Sequence, residues 1–258
     1  MIGFLAAILS PFFLEYTPEV RSTYVSLGKL LEDRPMQVNY IRVGVDAGDF
    51  GRFGVRNWDV SSLTDRRADV HRHMFYHTEF GPTWQYDLDI ADSWVLKSDL
   101  THSWTIYRGF RNTANNKSYR WVQAEQSLEN PYVTPFWRIR KCYSGNDYFY
   151  FKFGLRRRLA LTERLYVTPS VFFEGGSSRS QERVLGSKPD GETWKSGVAS
   201  VSVRLEAGWR FSEWASAYMY VEQYDVIGGE ARSVNGSNPY LCAHNDWTFG
   251  GFGMRFRF

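Results

Sequence analysis

The sequence lacks any long apolar run, and this absence narrows the ways in which the chain could meet a membrane. No stretch approaches the roughly 18 consecutive apolar residues that a membrane-spanning helix requires. A helical membrane protein is therefore excluded, and the remaining route across a bilayer is a closed β-barrel, which also pairs every backbone polar group internally. The mean hydropathy of −0.42 is compatible with a barrel, because half of each strand faces water.

The chain also has little excess of either charge. The formal net charge is +3, and the basic triplet 156–158 would divide between the two faces of a strand. No Lys/Arg block is long enough to follow a phosphate backbone. We therefore predict that nucleic acid is not a partner.

Cysteine is limited to Cys142 and Cys242, and neither has the spacing of a metal-ligand motif. We predict no metal site and no cofactor. In an oxidising compartment the two thiols could form a disulfide that pins the loop 227–243 over a barrel mouth. Two unpaired thiols are the alternative.

Aromatic residues and period-two alternation are what the sequence has in excess. Phe, Trp and Tyr make up 17% of the chain, and amphipathic rings suit a boundary between water and lipid. In segment 148–159, Phe149, Phe151 and Phe153 alternate with more polar residues, and segment 198–211 repeats the pattern. These runs of roughly 10 to 18 residues exceed the usual 5 or 6 of a globular strand, which favours strands that cross a bilayer.

The alternation predicts an all-β fold, a single closed antiparallel transmembrane β-barrel of about twelve strands within residues 1–258. Short turns such as 91–93 alternate with longer polar connections such as 177–193, which is typical of periplasmic turns and extracellular loops. Ten strands is the alternative, if residues 21–57 divide differently. The predicted strands span 19–29, 36–46, 50–58, 74–90, 93–108, 118–128, 133–143, 146–160, 163–176, 194–211, 214–226 and 245–258.

Residues 1–18 are open to two interpretations. The apolar segment 4–14 has about the length of a signal-peptide core, but no basic residue precedes it and no clear cleavage site follows. It is either a remnant of a signal segment or the first segment of the barrel.

The last predicted strand carries a resemblance to a known class. Its alternating residues lead to Phe256 and a carboxy-terminal Phe258, which resembles the terminal signal of Gram-negative outer-membrane barrels. The segments 22–28, 33–37 and 51–59 also resemble, over about 40 residues, the opening hairpins of TorF-type porins. The resemblance implies a porin-like protein of the bacterial outer membrane. It also implies contact with outer-membrane lipid and lipopolysaccharide, and insertion by the barrel assembly machinery through the last strand.

If the apolar face meets lipid, the polar face lines the lumen, and a twelve-strand barrel is wide enough for a narrow pore. The predicted basic lining comprises Arg42, Arg52, Arg56, Lys97, Arg138, Arg140, Lys152, Arg156, Arg158, Arg204, Arg210, Arg255 and Arg257. The predicted acidic lining comprises Asp46, Glu79, Asp87, Asp89, Asp99, Glu125, Glu174, Glu206 and Glu222.

The distribution of these charges suggests a filter. Acids concentrate on the fourth and fifth predicted strands and bases on the seventh and eighth, so that opposed rows would set a transverse field across the lumen. We predict a channel for passive diffusion of small charged solutes, with an anion preference, and no enzymatic activity. The alternatives are a barrel plugged by ion pairs and a lipid or peptide hydrolase at the outer rim.

Overall fold

Twelve antiparallel strands close into one barrel. The computed structural model describes residues 11–26, 29–32, 34–63, 76–108, 118–144, 147–185, 192–227 and 246–258. The barrel strands are β1 (Phe12–Arg21), β4 (Met36–Asp46), β5 (Arg52–Ser62), β6 (Tyr76–Ala91), β7 (Trp94–Arg108), β8 (Tyr119–Glu129), β9 (Thr134–Cys142), β10 (Tyr148–Arg156), β12 (Leu165–Gly176), β13 (Gly197–Arg210), β14 (Ala215–Val226) and β15 (Asp246–Arg257).

Neighbouring barrel strands pair in sequence order, and the ring closes where β1 pairs with β15 and β10 pairs with β12. Three shorter strands complete the described β-structure. A hairpin of β2 (Tyr24–Ser26) and β3 (Lys29–Glu32) lies between β1 and β4, and β11 (Leu159–Ala160) pairs with β12. The predicted antiparallel barrel of about twelve strands is confirmed.

The two ends of the barrel differ. Five connections, at 47–51, 92–93, 130–133, 157–164 and 211–214, lie at one end together with the carboxy terminus, and we call this the short-turn end. The opposite, long-loop end carries the connections 22–35 and 177–196, among others. The first of these contains the β2–β3 hairpin, and the second contains helix α1 (Ser178–Leu185), which contacts β10 and β12. Within the described residues, no helix is both long enough and apolar enough to span a membrane.

The first predicted strand, 19–29, is wrong. The first barrel strand is β1, seven residues earlier at its start, and residues 24–26 and 29–32 form the separate hairpin. In β1 the outward residues Leu14, Tyr16 and Val20 alternate with the inward residues Glu15 and Glu19, and this alternation continues the apolar amino-terminal segment. Residues 12–18 therefore belong to the barrel, while residues 1–10 lie outside the described residues.

The outer surface of the barrel is apolar. Val43, Val55, Leu205, Val221 and Phe252 each expose about half or more of their area, and all lie on the outward register. A soluble protein would bury such residues, since each buried aliphatic side chain contributes roughly 1.5–3 kcal/mol. Lipid removes that penalty, so the exposed belt marks a transmembrane barrel.

The seam between the first and last strands is fastened by a buried carboxylate. The Glu19 carboxylate of β1 accepts hydrogen bonds from the Tyr218 hydroxyl at 2.5 Å and the Tyr220 hydroxyl at 2.8 Å, and it also pairs with Arg21. Both tyrosines belong to β14, so their side chains must cross β15 to reach β1. Gly251 and a second glycine at 253 stand opposite them on β15, where a Cβ atom would lie within 2.7 Å of a tyrosine side-chain atom.

We expect this clamp to stabilise the closed barrel. Replacing Tyr218 and Tyr220 together by Phe leaves the buried Glu19 without two donors, which should lower the free energy of unfolding by roughly 2–4 kcal/mol. The matched control is Tyr16→Phe, whose hydroxyl bonds Asn39 at 3.3 Å on the outer surface and should cost about 0.5 kcal/mol or less. Urea unfolding in lipid vesicles, followed by tryptophan fluorescence, measures both. Equal losses would contradict a clamp at the seam.

Candidate functional site

A polar cavity of about 1380 Å³ occupies the half of the barrel next to the short-turn end. It begins among the turn residues Gly48, Ser212 and Trp214 and reaches Tyr40 and Phe172 near mid-barrel. Inward-facing side chains of the barrel strands form its wall, as period-two alternation requires. We call this space the vestibule.

One side of the vestibule, from β10 to β15, is basic. Of the described residues that line it there, seven are bases, Lys152, Arg156, Arg158, Arg204, Arg210, Arg255 and Arg257, and three are acids, Glu206, Glu213 and Glu222. Arg255 makes a two-pronged pair with Glu206, at 2.8 and 2.9 Å, and Arg204 shares the same carboxylate at 2.8 Å. One acid therefore neutralises only part of this side's positive charge.

Tyrosine rings hold the basic side chains in place. The Arg158 guanidinium lies 3.7 Å from the Tyr166 ring centroid, and those of Arg204 and Arg255 lie 3.6 and 3.9 Å from the rings of Tyr220 and Tyr218. Stacking holds the guanidinium plane against the tyrosine ring and leaves the N–H donors at the edge of the guanidinium group free to reach a ligand.

Arg158, Arg210 and Arg257 are exposed on this basic wall. Within the described part of the chain, none of the three has a carboxylate at ion-pair distance, and the Arg158 guanidinium stacks on the Tyr166 ring. Arg158 also lies within electrostatic reach of Arg210, Arg255 and Glu206, so two cations and one acid act on it. Like charges gathered at a mouth repel one another, and an anion would relieve that repulsion.

The opposite side of the vestibule, from β1 to β9, is acidic. The described lining residues on this side include more acids than bases. The seven acids are Glu15, Asp46, Asp49, Asp87, Asp99, Glu125 and Glu129, and the four bases are Arg42, Arg52, Lys97 and Arg138. Arg42 pairs with Asp99 at 2.6 Å, and Arg138 pairs with Glu125 at 2.6 Å. The vestibule is therefore polarised across its width.

Beyond the vestibule, toward the long-loop end, lies a buried layer of ion pairs centred on Glu79. Its carboxylate, 3% exposed, receives Arg140 at 2.9 Å and Arg56 at 3.5 Å, and the His77 imidazole lies 3.3 Å away. Arg140 stands on β9 and Glu79 on β6, so their contact bridges the two strands that lie between them.

Trp121 fills the space beside this layer. Its ring centroid lies 3.8 Å from the Arg140 guanidinium and 5.1 Å from that of Arg56. The indole nitrogen donates to the Thr105 hydroxyl at 2.6 Å. The two arginines, the carboxylate and the ring form one packed unit, which we call the Glu79 layer.

A second buried carboxylate lies at the same depth. Glu174 of β12 receives the Lys152 ammonium at 2.7 Å and a hydrogen bond from Tyr224. Toward the long-loop end, inward-facing Met36 and Val60 are also fully buried. Inward-facing side chains toward the long-loop end are thus buried among the described residues, while those next to the short-turn end border the wet vestibule.

The predicted lining residues therefore separate into two groups. Eleven of the predicted bases and six of the predicted acids line the vestibule, whereas Arg56, Arg140, Glu79 and Glu174 are packed in the buried layers. Asp89 is exposed on β6 without lining the cavity. Sequence reasoning missed Glu15, Asp49, Glu129 and Glu213, although Glu129 and Glu15 continue the inward registers of β8 and β1.

The remaining predictions concern the cysteine pair, metal binding and the carboxy-terminal phenylalanines. Cys142 is a buried free thiol, and Cys242 lies outside the described residues, so their pairing stays a prediction. Among the described residues no cluster of three or more His, Cys, Asp or Glu could hold a metal. Phe256 and Phe258 stack on each other, with ring centroids 6.5 Å apart, on the lipid side of the short-turn end.

Comparisons with known proteins identify the fold. An outer-membrane channel from Pseudomonas putida F1 has 10% sequence identity and a TM-score of 0.56, over 96% of this chain and 94% of that one. LpxR from Salmonella typhimurium has 10% identity and a TM-score of 0.50, over 94% of this chain and 99% of that one. This chain therefore has the fold of outer-membrane β-barrels.

No family model and no curated protein matches the chain. The likeness to TorF-type porins therefore stays a prediction. Outer membrane phospholipase A from Escherichia coli also aligns with the chain, at 11% identity and a TM-score of 0.45, over 95% of this chain and 89% of that one.

The Glu79 layer gives a testable prediction of stability. Glu79→Gln removes the negative charge that pairs with the buried Arg56 guanidinium and the partly buried Arg140 guanidinium, which should lower the free energy of unfolding by about 3 kcal/mol. Asp89→Asn, on the same strand but exposed, is the matched control and should change stability by less than about 0.5 kcal/mol. The measurement is urea unfolding in vesicles. A Glu79→Gln variant as stable as the control would mean that the layer is not a packed unit.

Proposed function

We propose that the chain is an outer-membrane channel for passive diffusion of small charged solutes, and that it favours anions. The observation that carries this proposal is the polarised vestibule, above all the uncompensated arginines 158, 210 and 257 on its basic wall. A channel needs a wet, charged and open approach, and the short-turn half of the barrel provides one.

The anion preference follows from position rather than from total charge. Bases and acids lining the vestibule nearly balance in number. The acids, however, are largely engaged: Asp99 with Arg42, Glu125 with Arg138, and Glu206 with two arginines. On the β10–β15 side of the mouth the exposed guanidinium groups of Arg158, Arg210 and Arg257 outnumber the one exposed acid, Glu213, while exposed acids such as Asp49 and Asp87 lie on the opposite side. The planar fork of a guanidinium fits carboxylate and phosphate oxygens. Small carboxylates and acidic sugars are therefore the expected solutes.

In this proposal the Glu79 layer is the constriction. Its groups are charged and hydrogen-bonded, so a passing ion would exchange partners with them. The buried apolar residues Met36 and Val60 lie beyond this layer, toward the long-loop end. Burial of this layer also supports a second candidate, a plugged barrel in which the ion pairs only fill the lumen. The two differ in whether the folded protein conducts.

The rim hydrolase has weaker support. His102 of β7 bonds the Tyr143 hydroxyl, and among the described residues no carboxylate hydrogen-bonds this imidazole to orient it as a general base. His71, His73 and His244 lie outside the described residues. The absence of enzymatic activity stays a prediction.

Conductance of the refolded protein in a planar bilayer decides between channel and plug. A channel gives ohmic steps, and under a salt gradient the sign of the reversal potential should indicate that anions pass more readily. Silence from protein that retains heat-modifiable gel migration would show a plugged barrel and end the channel proposal.

The basic wall predicts the effect of a double substitution. Arg210→Ala with Arg257→Ala should lower the anion-to-cation permeability ratio about two- to fivefold, because each charge acts through water over roughly 8 Å with partial screening. The matched control is Arg157→Ala with Arg164→Ala, which removes two exposed arginines outside the vestibule at the same end. Equal shifts in both variants would show that the basic wall does not set selectivity.

A further inference from the structure

An apolar groove of about 510 Å³ lies on the outer surface of the barrel, away from the lumen. It runs over strands β5 to β9, and its lining includes the outward-facing side chains of Trp84, Leu100, Val122, Ala124 and Ile139. All five stand on the register that faces lipid, so the groove opens into the membrane and is independent of the vestibule.

The groove forms where the small side chain of Ala124 and the ring of Pro82 interrupt a surface of larger side chains. Ala124 of β8 stands between Leu100 of β7 and Ile139 of β9, its partners across the strands, and its single methyl leaves the floor low. Pro82 of β6 has no N–H, and the β6–β7 ladder has no pairing at Gly81 and Pro82. The local result is a hollow in the lipid-facing surface.

The edge of the groove nearer the long-loop end is polar. His102 lines the groove and bonds the Tyr143 hydroxyl, and the two rings stack with centroids 5.8 Å apart. Trp104 packs edge-on against His102 at 4.6 Å. Tyrosine and tryptophan beside polar groups mark the level of the lipid headgroups.

Two cations lie at this edge on the lipid-facing register. Lys141 lines the groove opposite Val122, and Arg120 lies two residues above Val122 on the same face of β8. Lys141 pairs with Asp147, but both side chains are about half exposed. Such an exposed ion pair contributes little to stability, so Lys141 can release Asp147 and bind another anion. Arg120 has no acid partner among the described residues. The edge therefore carries a surplus of positive charge.

We propose that this groove binds a phosphate-bearing anionic lipid. One acyl chain lies over Leu100 and Ala124, and the phosphate is held by Arg120 and Lys141, with His102 as a further hydrogen-bonding group. The groove supplies shape, the cations supply charge complementarity, and the surrounding lipid phase supplies the ligand. Among the described residues the His102 imidazole hydrogen-bonds only the Tyr143 hydroxyl, so the role proposed for the site is retention of the lipid and not its hydrolysis.

Native mass spectrometry of the full-length barrel in detergent tests the proposal with two probes of equal chain length, phosphatidylglycerol and phosphatidylcholine. We expect one phosphatidylglycerol per barrel, retained roughly tenfold more than phosphatidylcholine, since charge-assisted hydrogen bonds distinguish the headgroups. Equal retention of the two lipids by the unmodified protein would overturn the anionic part of the proposal.

Two sets of variants separate the headgroup site from the groove. Arg120→Ala with Lys141→Ala alters only exposed side chains and should abolish the preference while leaving phosphatidylcholine binding unchanged. Ala124→Trp fills the groove and should remove both lipids. Its control is Met219→Trp, at a 64% exposed lipid-facing position on β14. If Ala124→Trp retains lipid as well as Met219→Trp, with both still heat-modifiable, the groove is not the binding site.

Discussion

The structure depends on one constraint, the pairing of every backbone polar group within the hydrocarbon layer. An open sheet would leave two edges of unpaired N–H and C=O groups in lipid, at a cost of several kcal/mol for each group. Closure of β1 on β15 removes both edges. The Glu19 carboxylate with its tyrosine donors adds a side-chain fastening at this seam, where Pro18 cannot donate to the ladder and the β1–β15 register has no pairing at residues 17 and 18.

Closure also determines the interior. When the apolar face of each strand contacts lipid, the alternation of side chains places the polar face inside the barrel. The charged groups there must be hydrated or paired. The barrel does both, at different depths. Near the short turns the charges border a wet vestibule, while at the Glu79 layer they are paired and packed against Trp121. The same inward register thus supplies an approach and a constriction.

Most of the fold could be predicted from local pattern, because alternation in runs such as 148–159 reports the two faces of a strand directly. The eleven strands after the first lie within a few residues of their predicted positions. The first strand was missed because segment 4–14, apolar and near the amino terminus, has the same composition as a signal core. The partner of β1 along the chain is β4, where Glu15 stands opposite Arg42, and the connection 22–35 separates the two strands in the sequence.

The site was less predictable, because it depends on contacts across the lumen. The pairing of Arg140 with Glu79 joins strands that are not neighbours, and no local pattern reports it. Sequence reasoning placed opposed charge rows on the fourth and fifth and on the seventh and eighth strands. The structure instead divides the vestibule between β1–β9 and β10–β15, since bases of β9 are compensated by Glu125 and Glu79 while those of β13 and β15 outnumber their partners.

The central claim, a wet vestibule that ends at a buried layer, is tested most directly by thiol accessibility along the inward column of β7. In a cysteine-free background, single cysteines at Lys97, Asp99, Thr101 and Ser103 would be treated with a small charged thiol reagent. Lys97 is exposed and Ser103 fully buried, so the reaction should be fast at 97, intermediate at 99 and far slower at 101 and 103. Equally fast reaction at 97 and 103 would contradict the account.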